Sequence, residues 1–206
     1  MINLSAEIIA NGVKYEIRNL SSIEFSGQDR SDTTLPSWGI QSNSGKLQMR
    51  DDEKLIHDLK INGSLANSYI NVYLKANSRK VELGKFKVSN VYKEPQSEII
   101  TLEFADVLPS WQNIQLKKYY YPYEQKVSVK DIIDTIIARA NFVASSSIFL
   151  YADDATDEWL KNYFIPFPII DEGSLWSQMS KICEISSCYI YCDEIGMPNI
   201  YYGGDT

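Results

Sequence analysis

The sequence predicts an α+β protein, mainly β, in which an antiparallel β-barrel or sandwich is followed by a small α+β domain with two helices. Apolar and polar residues alternate with a period of two through the first half of the chain, which is typical of half-buried strands. Apolar stripes with helical spacing become long only after residue 128. Aromatic residues make up 12% of the 206 residues, with 14 Tyr and 4 Trp, a content common in β-rich proteins and in assembly interfaces.

The chain begins with a predicted hairpin. Residues 2–9 and 13–18 flank Asn11 and Gly12, a dipeptide that adopts the positive φ angles of a tight hairpin turn. A third short strand is predicted over 21–25 because Ile23 and Phe25 fall on one face. Antiparallel strands joined by short turns favour a barrel or sandwich for this half.

A long polar segment, residues 26–44, is predicted as a loop. Loops longer than about 12 residues are uncommon in compact domains unless they are functional or dock on a neighbour. Trp38 and Ile40 are the large apolar residues of this segment, so they are candidates for a docking patch. The alternative is that they cap the core of their own domain. We expect the loop, with Trp38 as its anchor, to be ordered mainly by a neighbouring subunit.

A short helix is predicted over 52–59, followed by strands over 69–75, 81–93 and 98–105 that form an antiparallel meander. His57, the only histidine, lies on the polar side of that helix, and no Ser or Cys motif accompanies it. It is therefore interpreted as a solvated helix residue, which argues against a catalytic triad and against a multi-histidine metal site.

The alternation of apolar and polar residues ends at an aromatic stretch. A domain boundary is therefore predicted near residue 115, which gives domains 1–115 and 116–206. Trp111 follows the last predicted strand of the first domain, and Lys117 and Lys118 precede three tyrosines and a proline. The rings could stack on bases. The alternative is an extended linker whose rings pack between domains. The candidate interface residues of the chain are therefore Trp38, Ile40, Trp111, Tyr119, Tyr120 and Tyr121.

The second domain is predicted to contain two amphipathic helices. Ser128 and Asp131 form a capping pair before the first apolar stripe, and the second helix covers 174–186, with Leu175, Met179, Ile182 and Cys183 facing inward. The other predicted elements are a strand over 148–151, an acidic loop or helix start over 153–158, an edge strand over 164–170, and a closing hairpin of 188–192 and 199–202.

Charge and composition exclude several function classes. The formal net charge is −7, which argues against a protein that binds DNA or RNA through clustered cations. The chain has no phosphate-loop, dinucleotide, zinc-protease or serine-hydrolase motif, so no catalytic residue and no cofactor are predicted. Neither a signal peptide nor a membrane span is predicted. Cys183, Cys188 and Cys192 are expected to be buried free thiols that bind no metal.

Several strings are similar to the N-terminal region of tail proteins from phages of gut Firmicutes and similar bacteria. The early strings are residues 29–40 (DRSDTTLPSWGI), 43–45 (NSG), 84–86 (GKF) and 101–106 (TLEFAD), with Trp111 and Gln112. The later strings, residues 173–176 (GSLW), 181–184 (KICE) and 189–191 (YIY), resemble the continuation of the same proteins. The second half also resembles the α+β segment that follows the first barrel of baseplate hub and tail-tip proteins.

The resemblance implies a tail-tube-like β-domain in a non-enzymatic structural component of a phage tail tip or baseplate hub, or of a related contractile injection apparatus. It implies a homo-oligomeric ring, a trimer or a hexamer, that contacts other tail or baseplate proteins and no membrane. DNA would only pass through its lumen without specific binding. The location would be the virion tail, assembled in the host bacterial cytoplasm. Hub proteins carry a duplicated barrel, and this chain departs from them because only one is identified.

Two functions of other classes remain as alternatives. One is an accessory domain of a tail-associated cell-wall hydrolase or peptidase, which would need a cleft with paired carboxylates or a nucleophile. The other is a receptor- or carbohydrate-binding module, which would expose Trp and Tyr over a polar groove.

Overall fold

A computed structural model describes residues 2–10, 13–17, 20–26, 39–50, 68–76, 79–93, 97–121, 126–166 and 168–203. The described chain is mainly β with helices in its second half, which confirms the predicted α+β class. It divides into two compact units. Unit one comprises Met1–Gln28, Ser42–Val107 and Asp193–Gly196, and unit two comprises Asp29–Gln41, Leu108–Cys192 and Met197–Thr206. The domain boundary near residue 115 stays a prediction.

Unit one is built on a seven-stranded antiparallel sheet with the order β2-β1-β6-β7-β8-β5-β3. Its strands are β1 (Ile2–Ala10), β2 (Val13–Glu16), β3 (Leu20–Ser26), β5 (Ser44–Arg50), β6 (Ser68–Ala76), β7 (Arg79–Lys93) and β8 (Ile99–Ala105), while β4 (Gly39–Ile40) belongs to unit two. The predicted first hairpin is confirmed, because β1 and β2 pair up to Ala10 and Val13.

The long strand β7 is shared by two halves of this sheet. Its first part pairs with β6 and its second part with β8, and the change of partner occurs at Lys87, which lies opposite both Tyr69 and Ala105. The pairing register shifts on either side of Lys87, which indicates β-bulges in this region. A bulge bends the strand that contains it. In the described strands the pairing leaves the sheet open, so the sandwich-like alternative fits and a closed barrel does not.

The core of unit one is a single cluster that draws on both halves of the sheet. Along β5, Leu47 and Met49 are buried while the residues between them are exposed, as alternation requires. Phe25, Phe86 and Phe104 pack together with ring centroids 5.0 to 5.8 Å apart, and we call them the phenylalanine cluster. The buried members of the core are Ala6, Ile8, Ile17, Leu47, Met49, Ile70, Val72, Phe86, Val88, Ile100, Leu102 and Phe104.

Two glycines make room for these rings. A Cβ added to Gly45 would lie 2.7 Å from the Phe104 ring and also against the backbone oxygen of Glu24. A Cβ added to Gly84 would lie 2.5 Å from the Phe86 ring. Both distances are far inside van der Waals contact, so a side chain at either position would force its neighbours to shift.

Unit two combines three helices with short strands over its described residues. Its main sheet has the order β12-β17-β16-β4, with β16 and β17 antiparallel and the two outer strands added in parallel. The elements after unit one are a 3₁₀ helix (Leu108–Asn113), β9 (Gln115–Leu116), β10 (Tyr119–Tyr120), β11 (Lys126–Ser128), α1 (Val129–Ala144), β12 (Tyr151–Ala152), α2 (Asp154–Asn162), β13 (Phe164–Pro166), β14 (Ile169–Ile170), β15 (Gly173–Ser174), α3 (Leu175–Ser186), β16 (Cys188–Cys192) and β17 (Pro198–Tyr202).

Each helix begins at a side-chain cap. The Ser128 hydroxyl accepts a hydrogen bond from the backbone N–H of Asp131, as the predicted capping pair requires. Asp153 caps α2 through the N–H of Thr156, and Ser174 caps α3. The acidic stretch after residue 152 is therefore a helix start. In the part of the chain that is described, no helix is long and apolar enough to cross a bilayer.

Several sequence predictions need correction. The loop predicted over 26–44 is interrupted, because β4 (Gly39–Ile40) lies within it and β5 begins at Ser44. The edge strand predicted over 164–170 is two strands, since β13 pairs with β11 and β14 pairs with β10. The meander holds for β6, β7 and β8, whereas β5 inserts between β3 and β8. The helix predicted over 52–59, with His57, lies outside the described residues.

Candidate functional site

The two loop residues predicted to dock are placed differently. Trp38 lies outside the described residues, so its anchoring role stays a prediction. Ile40 is half-buried in β4, where it lies opposite Ile190 of β16, and the N–H of Gln41 donates to the Ile190 carbonyl oxygen at 2.8 Å. Ile40 is therefore built into the sheet of unit two, and only part of its side chain remains accessible.

Trp111 is a buried residue of the 3₁₀ helix. Its side chain is only 2% exposed, and the helix is followed by Ile114, whose carbonyl oxygen accepts the N–H of Leu175 at the start of α3. Burial of an indole removes a large apolar area from water and stabilises the unit that contains it. In the folded chain, Trp111 therefore exposes almost no surface that another protein could contact.

The three predicted tyrosines lie on and next to a two-stranded ribbon with two different faces. In this ribbon Tyr119 of β10 lies opposite Ile170 of β14, and Tyr120 lies opposite Ile169. Ile170 is buried, whereas Tyr120 is 62% exposed and Ile169 is 54% exposed. Strand alternation therefore gives the ribbon an inner face and an outer face.

The inner face is fixed to α1. The Tyr119 and Tyr121 rings meet edge to face at 5.1 Å, and the Arg139 guanidinium of α1 lies 5.1 Å from the centre of the Tyr119 ring. Arg139 also donates to the Lys117 carbonyl oxygen at 2.6 Å. Burial raises the pKa of the Tyr121 phenol. These contacts assign Tyr119 and Tyr121 a packing role within unit two.

The outer face carries an exposed apolar pair. Tyr120 and Ile169 lie side by side across the two strands, and the Lys118 ammonium lies 5.1 Å from the centre of the Tyr120 ring. The contact with Tyr120 raises the pKa of Lys118, so this side chain is cationic at neutral pH. An exposed aromatic residue beside an aliphatic one and a cation is suited to contact with another protein.

Sequence reasoning did not list a second aromatic surface, which we call the tyrosine face. Tyr189 and Tyr191 of β16 stack with Tyr201 of β17, with ring centroids 4.7 to 5.8 Å apart and planes within 21° of parallel. All three are half-buried. The signal was present in the string CYIYC, because alternation places both of its tyrosines on the face opposite its cysteines.

The opposite face of the same hairpin holds the thiols. Cys188 and Cys192 are buried with Ile190 between them, and Cys183 is buried in α3. The prediction that the three cysteines are buried free thiols is confirmed. Burial raises the pKa of both Cys183 and Cys188, so neither thiol ionises near neutral pH. Among the described residues no group of three His, Cys, Asp or Glu side chains could hold a metal ion.

The carboxylates with shifted pKa values in the described chain are held in the charged form. A hydrogen bond from Lys80 lowers the pKa of Glu7, one from Lys46 lowers that of Glu103, and one from Thr156 lowers that of Asp153. A general acid requires the opposite shift, a raised pKa in an apolar setting. These three groups therefore act as ion-pair or capping partners.

Solved structures of tail proteins share the fold of this chain. A tail protein from Neisseria meningitidis MC58 matches 96% of this chain with a TM-score of 0.55 and 11% identity. The chain has the fold of phage tail proteins. The 43 kDa tail protein of prophage MuSo2 from Shewanella oneidensis matches 98% of it with a TM-score of 0.51 and 11% identity. A chain of the Francisella PdpA–VgrG complex matches 97% with a TM-score of 0.55 and 14% identity.

The match covers only part of each of these proteins. The chain spans 50% of the Neisseria protein, 54% of the Shewanella protein and 28% of the Francisella chain, so it spans about half the length of the tail proteins or less. No protein-family model and no curated protein matches the sequence. At 11 to 14% identity the likeness establishes the fold alone.

Proposed function

We propose that the chain is a structural component of a phage tail tip or baseplate hub, or of a related contractile injection apparatus. The observation that carries this proposal is the match of both units, over 96 to 98% of the chain, to tail proteins of two different bacteria. A likeness confined to one small β-unit would be weaker support, because such folds host many functions. Its location would then be the virion tail.

The chain would work as a homo-oligomeric ring, a trimer or a hexamer, at the end of the tail tube, in contact with neighbouring tail proteins. Rings form when one surface of a subunit binds a different surface of the next copy and the rotation closes. Exposed apolar pairs such as Tyr120 and Ile169 are the kind of surface that such contacts bury. A net charge of −7 would let DNA pass a lumen without adhering.

This function has no catalytic step. The shifted carboxylates and the buried thiols described above support that view, because they hold neither a raised carboxyl pKa nor a reactive thiolate. Assembly energy would come from apolar burial, with the aromatic surfaces as its main source.

The proposal is tested with the phage or injection apparatus that encodes the chain. Purified particles are probed by mass spectrometry and by gold-labelled antibody against the chain, and a deletion strain is examined by electron microscopy. We expect label at the distal end of the tail and unfinished tails in the deletion strain, restored by the wild-type gene. Normal tails in the deletion strain, or absence of the chain from purified particles, would contradict the proposal.

A further inference from the structure

The first part of β7 has a neighbouring strand on one side only. Residues 79–86 pair with β6, whereas β8 pairs with β7 from Lys87 onward. Backbone N–H and C=O groups that point away from β6 in this stretch therefore meet no second described strand. Val81 and Leu83 are 53% and 41% exposed. An unpaired edge with exposed apolar residues is a place where a strand of another chain can add.

A tight turn, Asp193–Gly196, is also part of unit one. The N–H of Gly196 donates to the Asp193 carbonyl oxygen at 3.0 Å, and the N–H of Ile195 donates to the Asp193 side chain at 3.1 Å. Gly196 has a φ of 80°, in the left-handed region that favours glycine. These features give the segment one defined shape, and we call it the Gly196 turn.

The Gly196 turn lies against the backbone of β7. A Cβ added to Gly196 would lie 2.9 Å from the carbonyl oxygen of Lys85 and 3.5 Å from its Cβ. Lys85 lies just before Lys87, where pairing with β8 begins. Neighbouring strands of a sheet lie about 4.8 Å apart, so a strand added here would need the space directly beside β7. The turn occupies part of the space next to Lys85.

We propose that the Gly196 turn is a built-in block that keeps strands of other chains from adding to the first part of β7. Soluble proteins protect unpaired sheet edges in several ways, and one of them is a covering loop. Glycine is needed at position 196 for two reasons, because a Cβ would overlap the Lys85 backbone and would disfavour the positive φ. The inference concerns the free chain and does not depend on the function proposed above.

Charge determines how a chain without this block should behave. The cations of residues 79–87 outnumber the carboxylates four to one. Lys80 is balanced by Glu7, which still leaves the stretch with a net positive charge. Two copies that pair through this edge therefore bring like charges together, and salt screens their repulsion. Association caused by loss of the block should be limited in extent and should become stronger as salt rises.

The test compares alanine at two glycines of positive φ in the full-length protein. Gly196→Ala should displace the turn from Lys85. Gly39→Ala is the matched control, because Gly39 has a φ of 132° and an added Cβ would meet no atom of the described chain within 4 Å. Asp193→Ala is a milder second variant, since it removes the hydrogen bond that the Ile195 N–H donates to that side chain.

Hydrogen exchange by mass spectrometry, at a concentration where the chain is monomeric, reports the edge directly. We expect residues 79–86 to exchange about tenfold faster in Gly196→Ala than in the wild type and about threefold faster in Asp193→Ala, with the protection of β5 unchanged. Gly39→Ala should match the wild type in this stretch. If Gly196→Ala exchanges faster throughout the chain, it has lost the whole fold, and the milder Asp193→Ala decides the question.

Sedimentation velocity at tens of micromolar protein reports strand addition. Gly196→Ala should associate at least about tenfold more strongly than the wild type, and its association should strengthen as NaCl is raised. Leu83→Lys combined with Gly196→Ala should return association to the wild-type level, because it adds a charge at a 41% exposed position of the edge. The faster exchange of residues 79–86 should remain in this double variant, since the turn is still displaced.

Three results would overturn the inference. The first is that Gly196→Ala and Asp193→Ala both fold and keep the wild-type exchange of residues 79–86. The second is that Gly39→Ala associates as strongly as Gly196→Ala. The third is association that weakens with salt or persists with Leu83→Lys, because the contact would then lie elsewhere on the chain. Particle composition and the deletion strain test the tail-component proposal separately, so either proposal can fail without the other.

Discussion

The phenylalanine cluster of unit one and the tyrosine face of unit two bury their aromatic rings to different extents. In unit one, Phe86 and Phe104 are 6% and 1% exposed, Phe25 at the rim of the cluster is 45% exposed, and the absence of a side chain at Gly45 leaves space for the Phe104 ring. In unit two, Tyr189 and Tyr191 lie on the outer side of a hairpin whose other side is buried. The aromatic content of a chain therefore says little about interfaces until each ring is assigned to a face of its strand.

The energetic consequences of that difference can be measured. Rings that fill a core cannot be removed without leaving a cavity, whereas rings on an outer face can be removed with little loss of folding free energy. Substitutions in the two units should therefore separate into those that unfold the chain and those that affect only its contacts. The first two of the following experiments address the core, the third a partly buried ion pair, and the fourth an exposed ring.

The largest effect is expected for Phe104→Ala. Phe104 is 1% exposed and contacts both other rings of the phenylalanine cluster, so its loss leaves a cavity in the centre of unit one. We expect the free energy of unfolding to fall by about 3–5 kcal/mol, measured by urea denaturation. A loss below about 1 kcal/mol would mean that the cluster is not the core of this unit.

Alanine at the two glycines should destabilise by about 1–3 kcal/mol each, for different reasons. At Gly84 the added Cβ meets only the Phe86 ring, so Phe86→Leu should partly relieve Gly84→Ala and the double variant should lose less than the sum of the single losses. At Gly45 the Cβ also meets the backbone oxygen of Glu24, so Phe104→Leu should not relieve Gly45→Ala. Equal rescue at both positions would contradict this distinction.

Glu7→Gln should cost about 1 kcal/mol at neutral pH, because Glu7 accepts from Lys80 at 2.7 Å and from the Tyr73 hydroxyl at 3.3 Å. The native state lowers the pKa of Glu7, so this stability is present above its unfolded pKa and is lost as pH falls through the folded value. Lys80 has a raised pKa, so its share persists until strongly alkaline pH.

The measurement is urea denaturation of wild type and Glu7→Gln across the pH range. The two curves should converge in acid. Glu16→Gln is the control, because its ion pair with Lys75 is longer and more exposed, and it should change stability by less than about 0.5 kcal/mol. A difference between wild type and Glu7→Gln that persists unchanged in strong acid would show that it does not arise from this charge.

The smallest effect on folding is expected for Tyr120→Ser, within about 0.5 kcal/mol, because the ring is 62% exposed. If the outer face of the ribbon contacts a tail protein, the same change should reduce incorporation of the chain into particles. Tyr121→Ser, on the inner face, should instead lower the melting temperature of the isolated chain. Equal melting losses for the two variants would remove the distinction between the faces.

Local signals predicted much of the fold. The alternation in residues 69–75, 81–93 and 98–105 corresponds to β6, β7 and β8 within two residues at each end. The capping pair at Ser128 predicted α1, and the apolar stripe ending at Cys183 predicted α3. These elements were predictable because their side chains carry the periodicity of a strand or helix in a single short window.

The remaining structure depends on partners that are distant in sequence. Strand β5 was missed because its alternation, SGKLQMR, includes only two large apolar residues and its neighbours are β3 and β8. The pairing of β1 with β6 brings together residues 58 to 74 positions apart. Trp111 was predicted as an interface residue from its type alone, and no local pattern distinguishes a buried indole from an exposed one.

The sharing of β7 between two halves of the sheet has a consequence for how unit one opens. A strand common to both halves, with one continuous core behind them, gives neither half a complete set of contacts of its own. Opening of β6 from β7 and opening of β8 from β7 should therefore require the same global unfolding event. In native-state hydrogen exchange, the most protected amides of β6 and β8 should exchange with equal free energies and respond equally to denaturant, as one cooperative body.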